Sequence, residues 1–305
     1  MNPIENAHRF RRWILAATFA VPAAALLALV TASIAFSAPK ATTTSTASGL
    51  KKAKWGSNVK ITYGATSVRY RSNGLPNHAR QAEYAVPNAG GGAAVPTAAT
   101  AHAVADPTKA QSYDFTITTN PKKAATKTAA SLGTIGVMIS GAALFNPYEG
   151  DGTTVAVASN FTVKNASGKD VAFLDSCSGH PNPMGTYHYH ALPTCITAKV
   201  DTKNGPAHIL GIAFDGFPIY GDRDINGKQI TKAKLDRCNG ITSATPEFPK
   251  GIYHYVLLNT KDSTSSIRCF GGIVPASRRQ RRSMRPEQSP ACRRRQTQCE
   301  HIARS

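Results

Sequence analysis

Two histidines occupy alternating positions in the segment 185–195, which reads GTYHYHALPTC. In a β-strand, residues i and i+2 project from the same face. If this segment is a strand, His188 and His190 lie on one face, and Tyr187 and Tyr189 lie on the other. Two imidazoles on one face can bind a single metal ion, so the segment predicts a metal site.

A third ligand is expected from the chain just before this segment. His180 follows Cys177 by three residues, and a crosslink at that cysteine would anchor it. Three histidines leave the fourth position of a zinc ion open, and imidazole suits both Zn and Cu. The alternative is a hydrogen-bonded structural network of tyrosines and histidines without a metal. The pattern indicates no particular catalytic residue.

Other polar residues near these motifs give weaker evidence for ligand binding. Asp215, in the segment FDGFPIY, fits a tight turn, and its alternative role is to orient a ligand histidine. Tyr187 and Tyr189 are candidates for the same supporting role. The segment 222–227, DRDING, matches the first half of a calcium loop, but Ala233 stands where the bidentate Glu belongs. A polar turn is therefore favoured over calcium there.

Three motifs recur in the same order along the chain and predict an internal repeat. The aligned pairs are GVMISGAALFN at 136–146 with GIAFDGFPIYG at 211–221, LDSCSG at 174–179 with LDRCNG at 235–240, and GTYHY at 185–189 with GIYHY at 251–255. The repeats cover about 132–200 and 208–272. Two copies of one unit are expected to share a core across a pseudo-twofold axis, because one copy alone cannot bury its apolar face.

The second copy keeps fewer histidines than the first. His254 aligns with His188, whereas Ile241 takes the place of His180 and Val256 the place of His190. Function is therefore expected in or near the first copy, and His254 is a weaker ligand candidate.

The rest of the chain has the pattern of a mainly β protein. Residues 59–63, 67–70 and 113–117 alternate apolar and polar side chains, as half-buried strands do. The Gly/Ala-rich segment 90–104 predicts a loop. The predicted fold is a duplicated β unit with long loops, braced by disulfides and preceded by an N-terminal apolar helix. A β-rich α+β fold is the alternative.

The N-terminus predicts export across the cytoplasmic membrane. Basic residues at positions 9, 11 and 12 precede an uncharged run from Trp13 to Ala38, long enough to span a bilayer. The alternative is a signal peptide cleaved near residues 35–37. An uncleaved segment would anchor the protein facing outside, and a cleaved one would release it to the periplasm or medium. The membrane is therefore the expected partner, and a protein or small-molecule partner is not identified.

Composition divides the chain into four parts. Residues 1–38 form the signal or anchor segment, 39–54 a flexible linker, 55–275 the folded domain and 276–305 an Arg-rich tail. The tail has almost no apolar residues and predicts disorder, either as a genuine basic extension or as an out-of-frame translation. The net charge is +19, but nine Arg and two Glu place +7 of it in residues 277–305. The body has no basic face interleaved with aromatics, so no nucleic-acid partner is expected.

Cysteines of the body predict crosslinks, because exported proteins form disulfides. Cys177, Cys195, Cys238 and Cys269 give two disulfides with three pairings open, and a thiolate zinc site is disfavoured because no C-x-x-C pair occurs.

These motifs together resemble the YHYH-domain family, over about residues 55–272. The matching segments are SNGLPNH at 72–78, LGTIGVMISGAALFN at 132–146, LDSCSGHPNPMGTYHYH at 174–190, GIAFDGFPIYG at 211–221, LDRCNG at 235–240 and TPEFPKGIYHYVL at 245–257. The resemblance implies an exported, chiefly bacterial protein and implies no particular reaction. The motif positions that it marks are His78, His180, His188, His190, Asp215 and His254.

The departures at Ile241 and Val256 favour one metal site, or none, over two equivalent sites. The sequence thus predicts an exported YHYH-domain protein that binds one Zn or Cu ion through a histidine cluster. The alternative is a non-catalytic envelope or cell-surface interaction module whose Tyr/His cluster is structural.

Overall fold

The computed structural model describes residues 44–88, 97, 99–157 and 162–276. Strands hold 35% of the described residues and helices 8%, which confirms the prediction of a mainly β protein. The predicted apolar helix within residues 1–38 and almost all of the predicted tail lie outside the described residues. Among the residues that are described, no helix is long and apolar enough to cross a membrane.

The N-terminal part of the fold is a three-stranded antiparallel sheet in the order β1-β2-β5. Its strands are β1 (Val59–Tyr63), β2 (Ser67–Ser72) and β5 (Tyr113–Thr118). These are the alternating segments that the sequence predicts as strands. Their inward positions are apolar, as at Val68 and Ile117, which are buried and directly opposite each other. The sheet thereby contributes one wall of the main core.

The described residues also form three two-stranded ladders. Their strands are β3 (Glu83–Pro87) with β4 (Ala101–Ala105), β9 (Thr162–Lys164) with β10 (Asp170–Ala172), and β6 (Lys123–Ala129) with β17 (Cys269–Gly272). The predicted loop over 90–104 is therefore wrong at its end, where residues 101–104 belong to β4. Alternation of small residues there was too weak a signal to indicate pairing with β3.

The largest element is an eight-stranded sheet in the order β11-β12-β8-β7-β13-β14-β16-β15. Its strands are β7 (Gly136–Met138), β8 (Ala143–Leu144), β11 (Gly179–Pro181), β12 (Tyr187–Tyr189), β13 (Ile209–Ala213), β14 (Pro218–Tyr220), β15 (Gly240–Ser243) and β16 (Ile252–Val256). Helix α2 (Thr194–Val200) connects β12 to β13, and two 3₁₀ turns lie at Lys232–Lys234 and Ser263–Ser265.

The two halves of this sheet repeat one pattern of strand pairing. From the centre outward, β7 pairs antiparallel with β8, β8 parallel with β12, and β12 antiparallel with β11. The same sequence of pairings runs from β13 through β14 and β16 to β15. The halves join where β7 pairs antiparallel with β13. A Cβ atom added at Gly136 would lie 2.9 Å from the carbonyl oxygen of Ile212, so the junction requires glycine.

Two disulfides brace the two halves, as predicted. Cys177 is bonded to Cys195 with 5.3 Å between their Cα atoms, and Cys238 to Cys269 with 4.6 Å. The first closes a loop that contains β11 and β12, and the second closes a loop that contains β15 and β16. The structure thereby selects one of the three pairings that the sequence leaves open.

The predicted flexible linker over 39–54 is wrong for its described C-terminal part. Residues Ala47–Leu50 form a short helix, α1, and the side chain of Leu50 is fully buried in the main core. The amide of Thr46 donates to the carbonyl of Thr119 (2.7 Å), and the indole of Trp55 donates to the carbonyl of Leu50 (2.9 Å). The buried Leu50 and these two hydrogen bonds together anchor the segment.

Candidate metal centre

The edge of the first half of the large sheet brings three histidines together. His180 on β11 and His188 on β12 are direct cross-strand partners, so their side chains leave the sheet on one face. His190 follows β12 immediately, two residues after His188, and its amide donates to the carbonyl of Ser178 (3.2 Å). His188 and His190 are thus two positions apart along the chain, as predicted from the sequence. His180 faces His188 from the neighbouring strand, so it lies on a strand rather than in a loop.

The ring nitrogens of these three histidines converge. The Nε2 atom of His190 lies 2.9 Å from Nε2 of His188 and 3.3 Å from Nε2 of His180. One ligand nitrogen from each of the three lies within 4.8 Å of the other two. We refer to His180, His188 and His190 as the tris-histidine cluster.

Backbone carbonyls determine the tautomers in the cluster. The Nδ1–H group of His188 donates to the carbonyl of Thr186 (2.9 Å), and that of His190 donates to the carbonyl of Asn146 (2.7 Å). A carbonyl oxygen can only accept, so Nδ1 carries the proton in both rings. In the neutral rings, Nε2 is therefore a bare lone pair. Two lone pairs 2.9 Å apart repel each other unless a cation lies between them.

Burial keeps these rings neutral near pH 7. His188 and His190 are each 3% exposed, and burial lowers the pKa of His190 to about 4. Burial first, and then the neighbouring rings, lower the pKa of His180 and of His188 well below the usual value. A shared proton is thus disfavoured as the cation, because it would charge a group held away from water.

Aromatic rings line the cluster. The ring of Phe145 stacks on His188 with centroids 3.8 Å apart, and Phe173 meets His180 edge-on at 4.5 Å. His180 is only half-buried, whereas the other two histidines are buried. Access from solvent is therefore on the His180 side.

The nitrogen spacing fits a transition-metal ion. A tetrahedral ion with bonds of about 2.0–2.1 Å to nitrogen separates its ligand atoms by about 3.3–3.4 Å. The two measured separations, 2.9 and 3.3 Å, lie near that value. Metal-binding histidines commonly donate the N–H of their other ring nitrogen to a group such as a backbone carbonyl, which fixes the orientation of the ring. The three Nε2 atoms are therefore the atoms that would hold the ion.

The second half has only one histidine at the corresponding place. His254 on β16 is 2% exposed, and its Nδ1–H donates to the carbonyl of Ile252 (3.0 Å), as His188 does to Thr186. Its cross-strand partner is Ile241 instead of a histidine. The structure does not bring His254 to the tris-histidine cluster.

The remaining predicted site residues lie elsewhere. His78 donates through Nδ1–H to the carbonyl of Ala79, and its Nε2 accepts from the hydroxyl of Tyr189 (2.7 Å). Asp215 is fully buried, and its carboxylate accepts from the hydroxyl of Tyr255 and from the amide of Gly272. Neither is among the residues that converge on the cluster.

The hydrogen bonds of Asp215 belong to the second half of the sheet, and burial raises its pKa to about 6. The predicted role of orienting a ligand histidine is filled in the first half by the carbonyls of Thr186 and Asn146. Backbone groups leave no trace in side-chain patterns, which is why the sequence did not indicate them.

The two tyrosines of the motif point away from the cluster, as the alternation predicts. The hydroxyl of Tyr187 donates to Asp175 (2.7 Å), and that of Tyr189 lies 2.9 Å from the hydroxyl of Ser140. Asp175 also accepts from the amides of Cys177 and Gly179, so it fixes the turn that leads into β11. Sequence reasoning missed this residue, although its recurrence as Asp236 in the second copy was a usable signal.

A second polar group was also missed. Glu247 is buried and accepts from Nδ1–H of His208 (2.8 Å) and from the hydroxyl of Tyr220 (2.8 Å). Tyr220 in turn meets the ring of His254 edge-on at 4.9 Å. This group thus lies next to His254, the histidine that the second half keeps.

The segment 222–227 forms a polar turn. One carboxylate oxygen of Asp224 accepts from the amides of Asn226 and Lys228, both at 2.9 Å. Gly227 has a φ of +75°, which favours glycine at that position. The Asp/Asn/Gly pattern is explained by this turn.

Fold and site together define a mainly β, disulfide-braced protein with a histidine cluster at the edge of its largest sheet. The model of the YHYH protein family matches residues 114–231 and 224–272 of the chain. The match covers more than half of the 305 residues, and the chain belongs to this family. No curated protein and no solved structure matches the chain.

Proposed function

We propose that this protein is an exported member of the YHYH family that binds one transition-metal ion, Zn or Cu, in its tris-histidine cluster. The function proposed is metal binding, and it includes no particular reaction. A fourth position on the ion is left for water or another ligand, as in three-histidine zinc sites.

The observation that carries the proposal is the convergence of three imidazole nitrogens, of which those of His188 and His190 carry lone pairs that face each other. Nε2 of His190 faces Nε2 of His188 at 2.9 Å, while both Nδ1–H groups are held by carbonyls. A structural network would place a donor opposite an acceptor, and here acceptor faces acceptor. A cation between the two nitrogens would remove the repulsion between their lone pairs, and burial disfavours a proton as that cation.

Export and duplication belong to the same proposal. Two disulfides in the body suit an oxidising compartment, and the basic residues before the apolar run of 13–38 suit export with the body outside. The identical order of strand pairings in the two halves supports an origin by duplication. Loss of two histidines from the second copy is then the reason for one metal site per chain.

Elemental analysis of the full chain, purified without a histidine tag, tests the proposal. We expect about one equivalent of Zn or Cu per chain. The double variant His188→Ala, His190→Ala should lose the metal, because two of the three ligand nitrogens are removed. It should keep the circular dichroism spectrum of the parent, because the site lies at the edge of the sheet.

The matched control is His254→Ala, at the corresponding position of the second half. It removes a histidine with similar burial and the same kind of backbone hydrogen bond, so it reproduces the packing loss at one of the two substituted positions without touching the cluster. It should retain the metal. If the parent binds no metal after Zn and Cu are both supplied, the result would support the alternative, a structural interaction module. If both variants lose the metal equally, the assignment of His188 and His190 as ligands is refuted.

A further inference from the structure

A second set of potential ligands surrounds the disulfide of the first half. One ring nitrogen of His78 and the sulfurs of Cys177 and Cys195 lie within 4.8 Å of one another. In the oxidised protein the two sulfurs are bonded to each other. A disulfide presents no thiolate, so this set cannot bind a metal while the bond is intact.

Reduction would convert the same residues into a known type of ligand set. Two cysteine thiolates and one imidazole bind zinc in some catalytic sites. With Zn–S bonds of about 2.3 Å, tetrahedral geometry separates two sulfurs by about 3.8 Å. The Cα atoms of Cys177 and Cys195 are 5.3 Å apart, so side-chain rotation alone can supply that separation.

The disulfide is accessible to a reductant from one side. Cys195 is half-buried, whereas Cys177 is 1% exposed. A dithiol would attack the sulfur of Cys195, break the S–S bond and expel Cys177 as a thiolate. The second thiol of the reductant then displaces Cys195, and the dithiol leaves as a disulfide after transferring two electrons.

His78 is prepared as the third ligand. Its Nδ1–H donates to the carbonyl of Ala79, so the lone pair is on Nε2. That lone pair accepts from the hydroxyl of Tyr189, which also lies 2.9 Å from the hydroxyl of Ser140. A metal ion at Nε2 would therefore displace one hydrogen bond and leave Tyr189 with a partner.

The disulfide of the second half lacks this arrangement. Cys238 and Cys269 are both buried, and within the described part of the chain the only groups of three converging ligand residues are the tris-histidine cluster and the one with His78. The disulfide of the first half therefore differs in its neighbouring histidine and in having one half-buried cysteine, Cys195.

We propose that the Cys177–Cys195 disulfide is a redox-gated metal site, which on reduction by a dithiol binds one divalent transition-metal ion through both thiolates and His78. The site is separate from the tris-histidine cluster and does not depend on the proposed function.

Cobalt(II) is the probe, because a thiolate bound to it gives a charge-transfer absorption that imidazole ligands do not give. The full chain carries His188→Ala and His190→Ala to remove the first site, and Cys292→Ser and Cys299→Ser to remove the thiols of the tail. We expect no charge-transfer band in the oxidised protein. After reduction by a phosphine, the band should appear and saturate at one equivalent of cobalt.

Matched cysteine pairs provide the control. Adding Cys177→Ser and Cys195→Ser should abolish the band, whereas adding Cys238→Ser and Cys269→Ser should leave it unchanged. His78→Ala should weaken cobalt binding about tenfold or more. No band after reduction, or equal loss in both cysteine pairs as expected for binding by an unfolded chain, would overturn the proposal.

Discussion

Asp175 offers a direct test of how the cluster is held. Its carboxylate accepts four hydrogen bonds, from the amides of Cys177 (2.9 Å) and Gly179 (3.2 Å) and from the hydroxyls of Tyr187 (2.7 Å) and Tyr84 (2.9 Å). These bonds tie the turn before β11 to the neighbouring strands. The substitution Asp175→Asn keeps the size of the side chain and replaces one acceptor oxygen with a donor group.

The loss of stability follows from the hydrogen bonds that asparagine cannot make. Its remaining oxygen can serve the two amides, and its NH₂ group then faces the two tyrosine hydroxyls. Hydrogen bonds to a charged group contribute about 1.5–3 kcal/mol each, and reorientation of a hydroxyl recovers part of that. We expect a loss of about 3 kcal/mol in the free energy of unfolding, measured by urea denaturation, or a fall in Tm of about 6–12 °C.

Asp236→Asn is the matched control in the second half. Asp236 accepts from the amides of Cys238 and Gly240 in the same way, but from only one hydroxyl, that of Tyr253 (3.0 Å), and from the partly exposed ammonium group of Lys127 (3.4 Å). Its side chain is 35% exposed, so water can replace the lost bond. The expected cost is about 1 kcal/mol.

Metal affinity separates the two variants further. Asp175→Asn loosens the turn that positions His180 and should weaken metal binding, whereas Asp236→Asn should leave it unchanged. Equal losses of stability, or unchanged metal affinity in Asp175→Asn, would show that the turn is held by other contacts and refute this reasoning.

Two further predictions concern the apoprotein in the presence of a chelator. Burial lowers the pKa of His190 and of His254 to about 4, below the unfolded value of 6.5, so stability should fall as the pH drops from 6.5 towards 4. Asp215, whose pKa is raised to about 6, opposes this below pH 6, whereas His180 and His188, whose pKa values are also lowered, act in the same direction as His190 and His254. Urea denaturation should therefore give a net loss of at least about 3 kcal/mol at pH 5, and constant stability would contradict the burial of the imidazoles as neutral rings. Gly211→Ala would press a methyl group against the carbonyl of Val137 at the junction of the halves, and a thermal melt should show destabilisation by at least about 2 kcal/mol. A Gly150→Ala control should not show this loss, because the added atom meets nothing within 4 Å there and the backbone of Gly150 does not have a positive φ.

Local sequence patterns predicted the structure correctly where a single strand or a single turn determines it. The alternation of residues 187–190 correctly separates the histidine face from the tyrosine face, because side chains of a strand alternate whatever it pairs with. The cysteines indicated two disulfides but not their pairing, since proximity of distant segments has no local signature. Leu50 was overlooked for the same reason, because its burial depends on strands that follow it in the chain.

The sequence by itself determined the β-rich character of the body, the repeated motifs and the five histidines worth considering, because these follow from residue type and spacing. Only the tertiary structure decided that His180 lies opposite His188, that carbonyls of Thr186 and Asn146 fix the tautomers, and that Asp215 belongs to the other half of the sheet. The physical reason is that a metal site depends on distances between atoms of different segments and on backbone acceptors. Both are set by strand pairing and become defined only when the chain is folded.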